Sequence, residues 1–129
     1  MPQYLLDKAY KITDANGVGA NLVVVQGTNP GECKLPASAN EGKILGVTVH
    51  AQSQQNKSVA VRKAGIAEVI AAGAISVGVP VNVAGSSGKV KAIDETGGTK
   101  INCLGFAETA ASADDDIIEV FISLHERTA

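Results

Sequence analysis

Apolar and polar residues alternate with a period of two along most of this chain, the signature of half-buried β-strands. Residues 43–50 place Ile44, Gly46 and Thr48 on one face and Leu45, Val47 and Val49 on the other. Val59 and Val61 alternate with Ala60 and Arg62, and residues 79–83, 90–93 and 118–124 repeat the habit. Residues 22–25 are a short apolar run closed by Gly27, Thr28, Asn29, Pro30 and Gly31, a strand followed by a turn. A further short strand is predicted at 33–35, before the loop "PASANEG", and the polar run "QSQQNK" reads as a hairpin tip. Residues 65–73 are ambiguous, because Ile66, Val69 and Ile70 stand at helical spacing while Gly65 and Gly73 bound a stretch of strand length. A strand is predicted there, with a short helical turn near 72–75 as the alternative.

The pattern also repeats. "KILGVT" at 43–48 returns as "KINCLGFA" at 100–107, and Lys43-Ile44 matches Lys100-Ile101 at an offset of 57. After a two-residue insertion, Leu45 to Thr48 match Leu104 to Ala107 at 59, and Val59 and Val61 fall on Ile118 and Val120. Upstream, "GECKL" at 31–35 resembles "GKVKA" at 88–92, again at 57. Two copies of one β unit packed together bury both apolar faces. The expected fold is therefore all-β: a compact β-sandwich or barrel of short strands built from two duplicated units.

Residues 1–20 break the pattern. They carry both tyrosines and a turn-rich Asn16-Gly17-Val18-Gly19, and read as an extended N-terminal arm before a single β domain at 21–129. Tyr4, Leu5, Leu6, Tyr10 and Ile12 are its large apolar residues and the candidate partner-binding positions. Such residues either dock on the chain's own domain as an extra strand or reach a neighbouring subunit.

Composition sharpens this picture. Of 129 residues 45% are hydrophobic, enough for a core, yet only Tyr4, Tyr10, Phe106 and Phe121 are aromatic and no Trp is present. Phe106 and Phe121 lie on matched strands and are expected in the core. The net charge of −2, without any basic run, argues against nucleic acid as a partner. No stretch approaches the roughly 18 apolar residues of a membrane span, and the first residues lack the pattern of a secretion signal.

Candidate chemistry is thin. Cys33 and Cys103 read as buried thiols in a reducing compartment, and His50 and His125 as structural histidines at strand ends rather than halves of a thiol–imidazole pair. Ligand spacing suits neither zinc nor, at Asp114-Asp115-Asp116, a calcium loop; a solvated turn is the reading there. Gly42-Lys43 and Gly88-Lys89 lack the first glycine of a phosphate loop, and "GVGANL" at 17–22 follows no strand. Lys8 in "LDKA" sits in the arm rather than on the hairpin tip of a lipoyl domain, and the glycosylation pattern at Asn56 has no secretion signal before it. No catalytic residue, cofactor site or metal site is expected.

The order of these pieces resembles a family of small bacteriophage capsid cement (head decoration) proteins. The resemblance runs from Gly19 through the "LGV" strand at 45–47, "VAVRKAGIAEV" at 59–69, "AGAISVGVPV" at 72–81 and "GKVKA" at 88–92 to "LGFAETAASADDDIIEVFISL" at 104–124. It implies a non-enzymatic virion protein, made in the host cytoplasm and carried on the outer surface of an icosahedral head. The implied partners are the major capsid protein and the chain itself, as a homotrimer. The function expected is to bind the assembled shell and tie neighbouring capsomers together. The alternatives are a carbohydrate-binding-like β-sandwich, against which the few aromatics weigh, and another phage structural component such as a tail protein.

Overall fold

The computed structural model describes residues 5–39, 42–93, 98 and 100–128. Nine strands run through them: β1 (Leu6–Ile12), β2 (Val23–Gln26), β3 (Glu32–Lys34), β4 (Ile44–Thr48), β5 (Ser58–Ile70), β6 (Pro80–Val83), β7 (Val90–Ala92), β8 (Lys100–Ala107) and β9 (Ile117–Thr128). Among the described residues there is no helical segment. The alternation predicted at 59–62 and the ambiguous run from 65 join into one 13-residue strand, β5. Near 72–75, where a helical turn was the alternative, Ile75 instead makes a bridge with Ala111.

The strands form one closed five-stranded barrel and a second, partly closed barrel that shares β5 with it. In the first, the order is β1-β3-β2-β4-β5, and an antiparallel pairing of β5 with β1 completes the ring. In the second, β5 pairs with β9, β9 with β8, β8 with β6 and β6 with β7. A parallel bridge between Ala71 and Val90, with the Ala72 N–H donating to the Val90 carbonyl at 2.7 Å, brings β7 back beside the end of β5.

The internal repeat is thus visible in three dimensions, register by register. Val47 opposes Arg62 in the first barrel, and Phe106 opposes Phe121 in the second, both shifted by 59. Tyr10 opposes Val59 as Val69 opposes Ile118. The parallel pair Ile12 and Cys33 recurs as Ala71 and Val90, and the bridge between Val18 and Gln52 as that between Ile75 and Ala111. By this correspondence β1 is the counterpart of the second half of β5.

Residues 6–12, expected within the arm, are therefore a barrel strand. Tyr10 (5% exposed) and Ile12 (0%) point into the first barrel beside Val24, Cys33, Leu45, Val59 and Val61. Arg62 holds Asp7 across the closing seam through two bonds of 2.9 and 3.1 Å. These bonds keep the Asp7 carboxyl below its usual pKa of 3.8. Its contribution to stability is complete above that value and is lost as pH falls through the lower folded value.

The second barrel is filled by the equivalent positions Val69, Ile75, Val81, Val90, Leu104, Ile118 and Val120. Val23 and Val47 of the first barrel belong to this second cluster, so the barrels are fused through a common core. The Val23 N–H donates to the Gly88 carbonyl at 2.8 Å, and the Ile70 N–H to the Asn21 carbonyl at 3.0 Å, which fixes the junction.

Candidate interaction surface

The four described arm residues divide between core and surface. Tyr10 and Ile12 are buried in the core of the first barrel. A strand that closes a barrel must bury one of its faces, and these two residues carry that face. Leu5 and Leu6 are 42% and 56% exposed, and Tyr4 lies outside the described residues. Lys63 Nζ donates to the Tyr10 hydroxyl at 2.7 Å, and Lys8 and Lys63 stand 5.2 and 5.0 Å from its ring. These cations keep the polar end of a buried tyrosine satisfied.

The groups that could carry chemistry are engaged in structure. Burial, aided by the Asp14 carboxylate, pushes the Cys33 thiol up to about 11, far from the thiolate a nucleophile needs. Cys103 is buried, while its cross-strand neighbour His125 turns its ring onto Phe106 (centroids 5.2 Å apart, 12° between planes) and bonds the Ser123 carbonyl through Nδ1. His50 accepts the Ala60 N–H on Nε2 at 3.3 Å. Asp116 accepts from the Ser112 N–H, the Ser112 hydroxyl and the Ala113 N–H, bonds that hold its carboxyl below the usual range. Lys89 reaches Asp114 at 3.3 Å and Asp115 at 2.5 Å. The acidic triplet thus builds its own turn.

The outer face of the second barrel is different. Phe106 and Phe121, expected in the core, lie on the outside: Phe121 is 45% exposed and Phe106 is partly buried beneath the His125 ring. The reason is parity. Ile118, Val120 and Ile122 are the inward residues of β9, so Phe121 shares the outward face with Glu119. Ile66 opposes Phe121 and Phe121 opposes Phe106, which sets three large apolar side chains in a row across β5, β9 and β8.

The next row along the same strands is acidic. Glu68 opposes Glu119, and the Glu108 N–H donates to the Glu119 carbonyl at 2.7 Å, so three exposed carboxylates stand side by side. In the first barrel the matching positions are Ala9, Ala60 and Val49. Arg62, the cation whose charge Glu68 feels, is already held by Asp7. The remaining exposed large apolar residues are Val49, Val77, Ile117 and Leu124.

This surface is legible in the sequence when the alternation is carried through residue 121 and overrides the match of the two strands that suggests a core position for both phenylalanines.

Against known proteins, a family model described as structural cement protein (E217 gp24/Pam3 gp6) matches residues 1–125. No curated protein matches the chain. Among solved structures, the chain is similar to "the crystal structure of head fiber gp8.5 N base in bacteriophage phi29", with a TM-score of 0.63 and 17% identity over 93% of this chain and 95% of that one. At that identity the likeness carries the fold.

Proposed function

The chain belongs to the structural cement protein family of bacteriophages, a phage structural role, and from that premise we propose that it binds the outer surface of an assembled icosahedral head and stabilises contacts between capsomers. The observation that carries this reading is that each of the two fused barrels presents exposed large apolar residues: Leu5 and Leu6 on the first, Ile117, Phe121 and Leu124 on the second. A body with exposed apolar residues on both barrels can touch two subunits at once. Two weak contacts on one body reinforce each other through effective concentration, and fail together when subunit spacing does not match.

Spacing changes when a head expands. A protein that fits the expanded spacing binds that state preferentially and stabilises it by mass action. Self-association as a trimer over a junction of capsomers multiplies the same effect, and the exposed Leu5 and Leu6 at the start of the first barrel are available to it or to the shell.

The test is co-sedimentation of the purified protein with unexpanded and with expanded shells of the phage that encodes it. Binding should saturate on expanded shells and be at least tenfold weaker on unexpanded ones. Equal binding to both would remove the stabilising role, and binding to neither would remove the capsid.

A further inference from the structure

We propose that the outer face of β5, β9 and β8 in the second barrel is the surface that docks on the capsid. Its occupant is a capsid-protein segment presenting apolar side chains beside lysines or arginines. This rests on the cement reading and names the face and chemistry it uses.

The internal repeat supplies the first argument. The row Ile66, Phe121 and Phe106 is the structural counterpart of Asp7, Arg62 and Val47 in the first barrel. There, Asp7 and Arg62 satisfy each other in an ion pair, and Val47 is covered by the second barrel. In the second barrel the same row is entirely apolar, and Phe121 is 45% exposed. A row whose Val47 end packs against the second barrel is repeated there with its polar pair replaced by Ile and Phe.

Charge supplies the second argument. Glu68, Glu119 and Glu108 lie side by side next to that row, and like charges directly opposite one another on a sheet destabilise it. Basic groups on a partner convert this repulsion into attraction, while the apolar row beside it supplies the contact area of a hot spot.

A second copy of this chain is a poorer occupant. Val23, whose N–H ties the two barrels together through the Gly88 carbonyl, is replaced in the second barrel by Pro80, which has no N–H to offer. The internal junction therefore cannot be extended copy by copy.

The experiment compares wild type, Phe121→Ser, Glu119→Lys and, as a control on the first barrel, Val49→Ser. Each is measured for binding to expanded shells lacking the protein, for melting temperature and for sedimentation without shells. Phe121→Ser should weaken binding by about 30-fold or more, and Glu119→Lys by about tenfold with a smaller salt dependence than wild type. Val49→Ser should bind as wild type; Glu119→Lys should melt slightly higher because it removes the carboxylate repulsion opposite Glu68, and the other variants should melt close to wild type. Wild-type binding with Phe121→Ser and Glu119→Lys unaffected overturns the proposed face while leaving the cement reading intact. Absence of wild-type binding overturns both. If wild type sediments as an oligomer that Phe121→Ser dissolves, the face joins copies of this chain and the proposal fails.

Discussion

Deleting residues 2–14 is expected to unfold the first barrel. Those residues contain β1, which pairs with β3 on one edge and β5 on the other and so closes the ring. Its loss opens the ring, leaving one edge of β3 and one edge of the first half of β5 unpaired, and removes Tyr10 and Ile12 from a cluster that also holds Val18, Val24, Cys33, Leu45, Val59 and Val61. Truncating one large buried residue costs about 2–5 kcal/mol. Losing two together with the ladder rivals the roughly 5–15 kcal/mol that holds an ordinary domain folded. The barrels share Val23 and Val47, so the damage spreads to the second core. Circular dichroism should show no cooperative melt. A milder variant, Ile12→Ala, keeps the strand and should still fold, less stable by about 2–5 kcal/mol. A truncated protein that melts like the full chain would mean that β1 is not part of the fold.

The second large effect is expected at two glycines. Gly46 and Gly105 occupy the same place in the two barrels, one against β5 and the other against β9. A Cβ at Gly46 would lie 2.0 Å from the Arg62 carbonyl oxygen, and one at Gly105 1.9 Å from that of Phe121. Both obstacles are backbone in a paired strand, so neither can swing away. Gly46 also has a φ of +154°, which L side chains rarely adopt. Either Gly→Ala change must spread the ladder, at a cost of about 3 kcal/mol or more, equivalent to roughly 10 °C in melting temperature. Gly31 offers the control: its φ is +80°, but a Cβ there would meet nothing within 4 Å. Gly31→Ala should cost less, through backbone strain alone. Equal melting of the Gly46, Gly105 and Gly31 variants would show that close approach is not why the Leu-Gly pair recurs.

These glycines explain why the repeat could be read at all. The Leu-Gly step survives in both halves because Leu45 and Leu104 fill the cores while Gly46 and Gly105 let two backbones touch. Alternation located most strands, since a half-buried strand cannot hide its period. The barrel closures were less legible. Residues 6–12 carry Leu6, Asp7, Lys8, Ala9 and Lys11 among their two inward residues, because β1 buries little of its outer face and its sequence therefore resembles a loose arm. Its counterpart in the second unit lies within β5, where a 13-residue strand serves both barrels and erases the boundary that a duplicated unit would otherwise show. The outward apolar row was less legible because Phe106 and Phe121 lie on matched strands, which suggests the core. Parity overrules that match: Ile118, Val120 and Ile122 take the inside of β9, so Phe121 faces out. The acidic row follows from the same parity but needs the pairing of three strands, which no single segment contains.

With the geometry in place, the work asked of the protein is modest and physical. Two fused barrels share one core, exposed large apolar residues stand on each, and the buried Cys33 thiol and the capped Asp116 carboxylate are in structural use. Stabilisation by such a body comes from binding one state of a shell better than another, and it grows with the free concentration of the protein.

The most direct measurement heats expanded, DNA-filled heads lacking the protein, with purified chain added back over a range of concentrations, and follows DNA release. The release temperature should rise with concentration and level off when the shell is saturated, and Phe121→Ser should need far more protein for the same gain. A release temperature that does not change while the protein is demonstrably bound would contradict a cementing role.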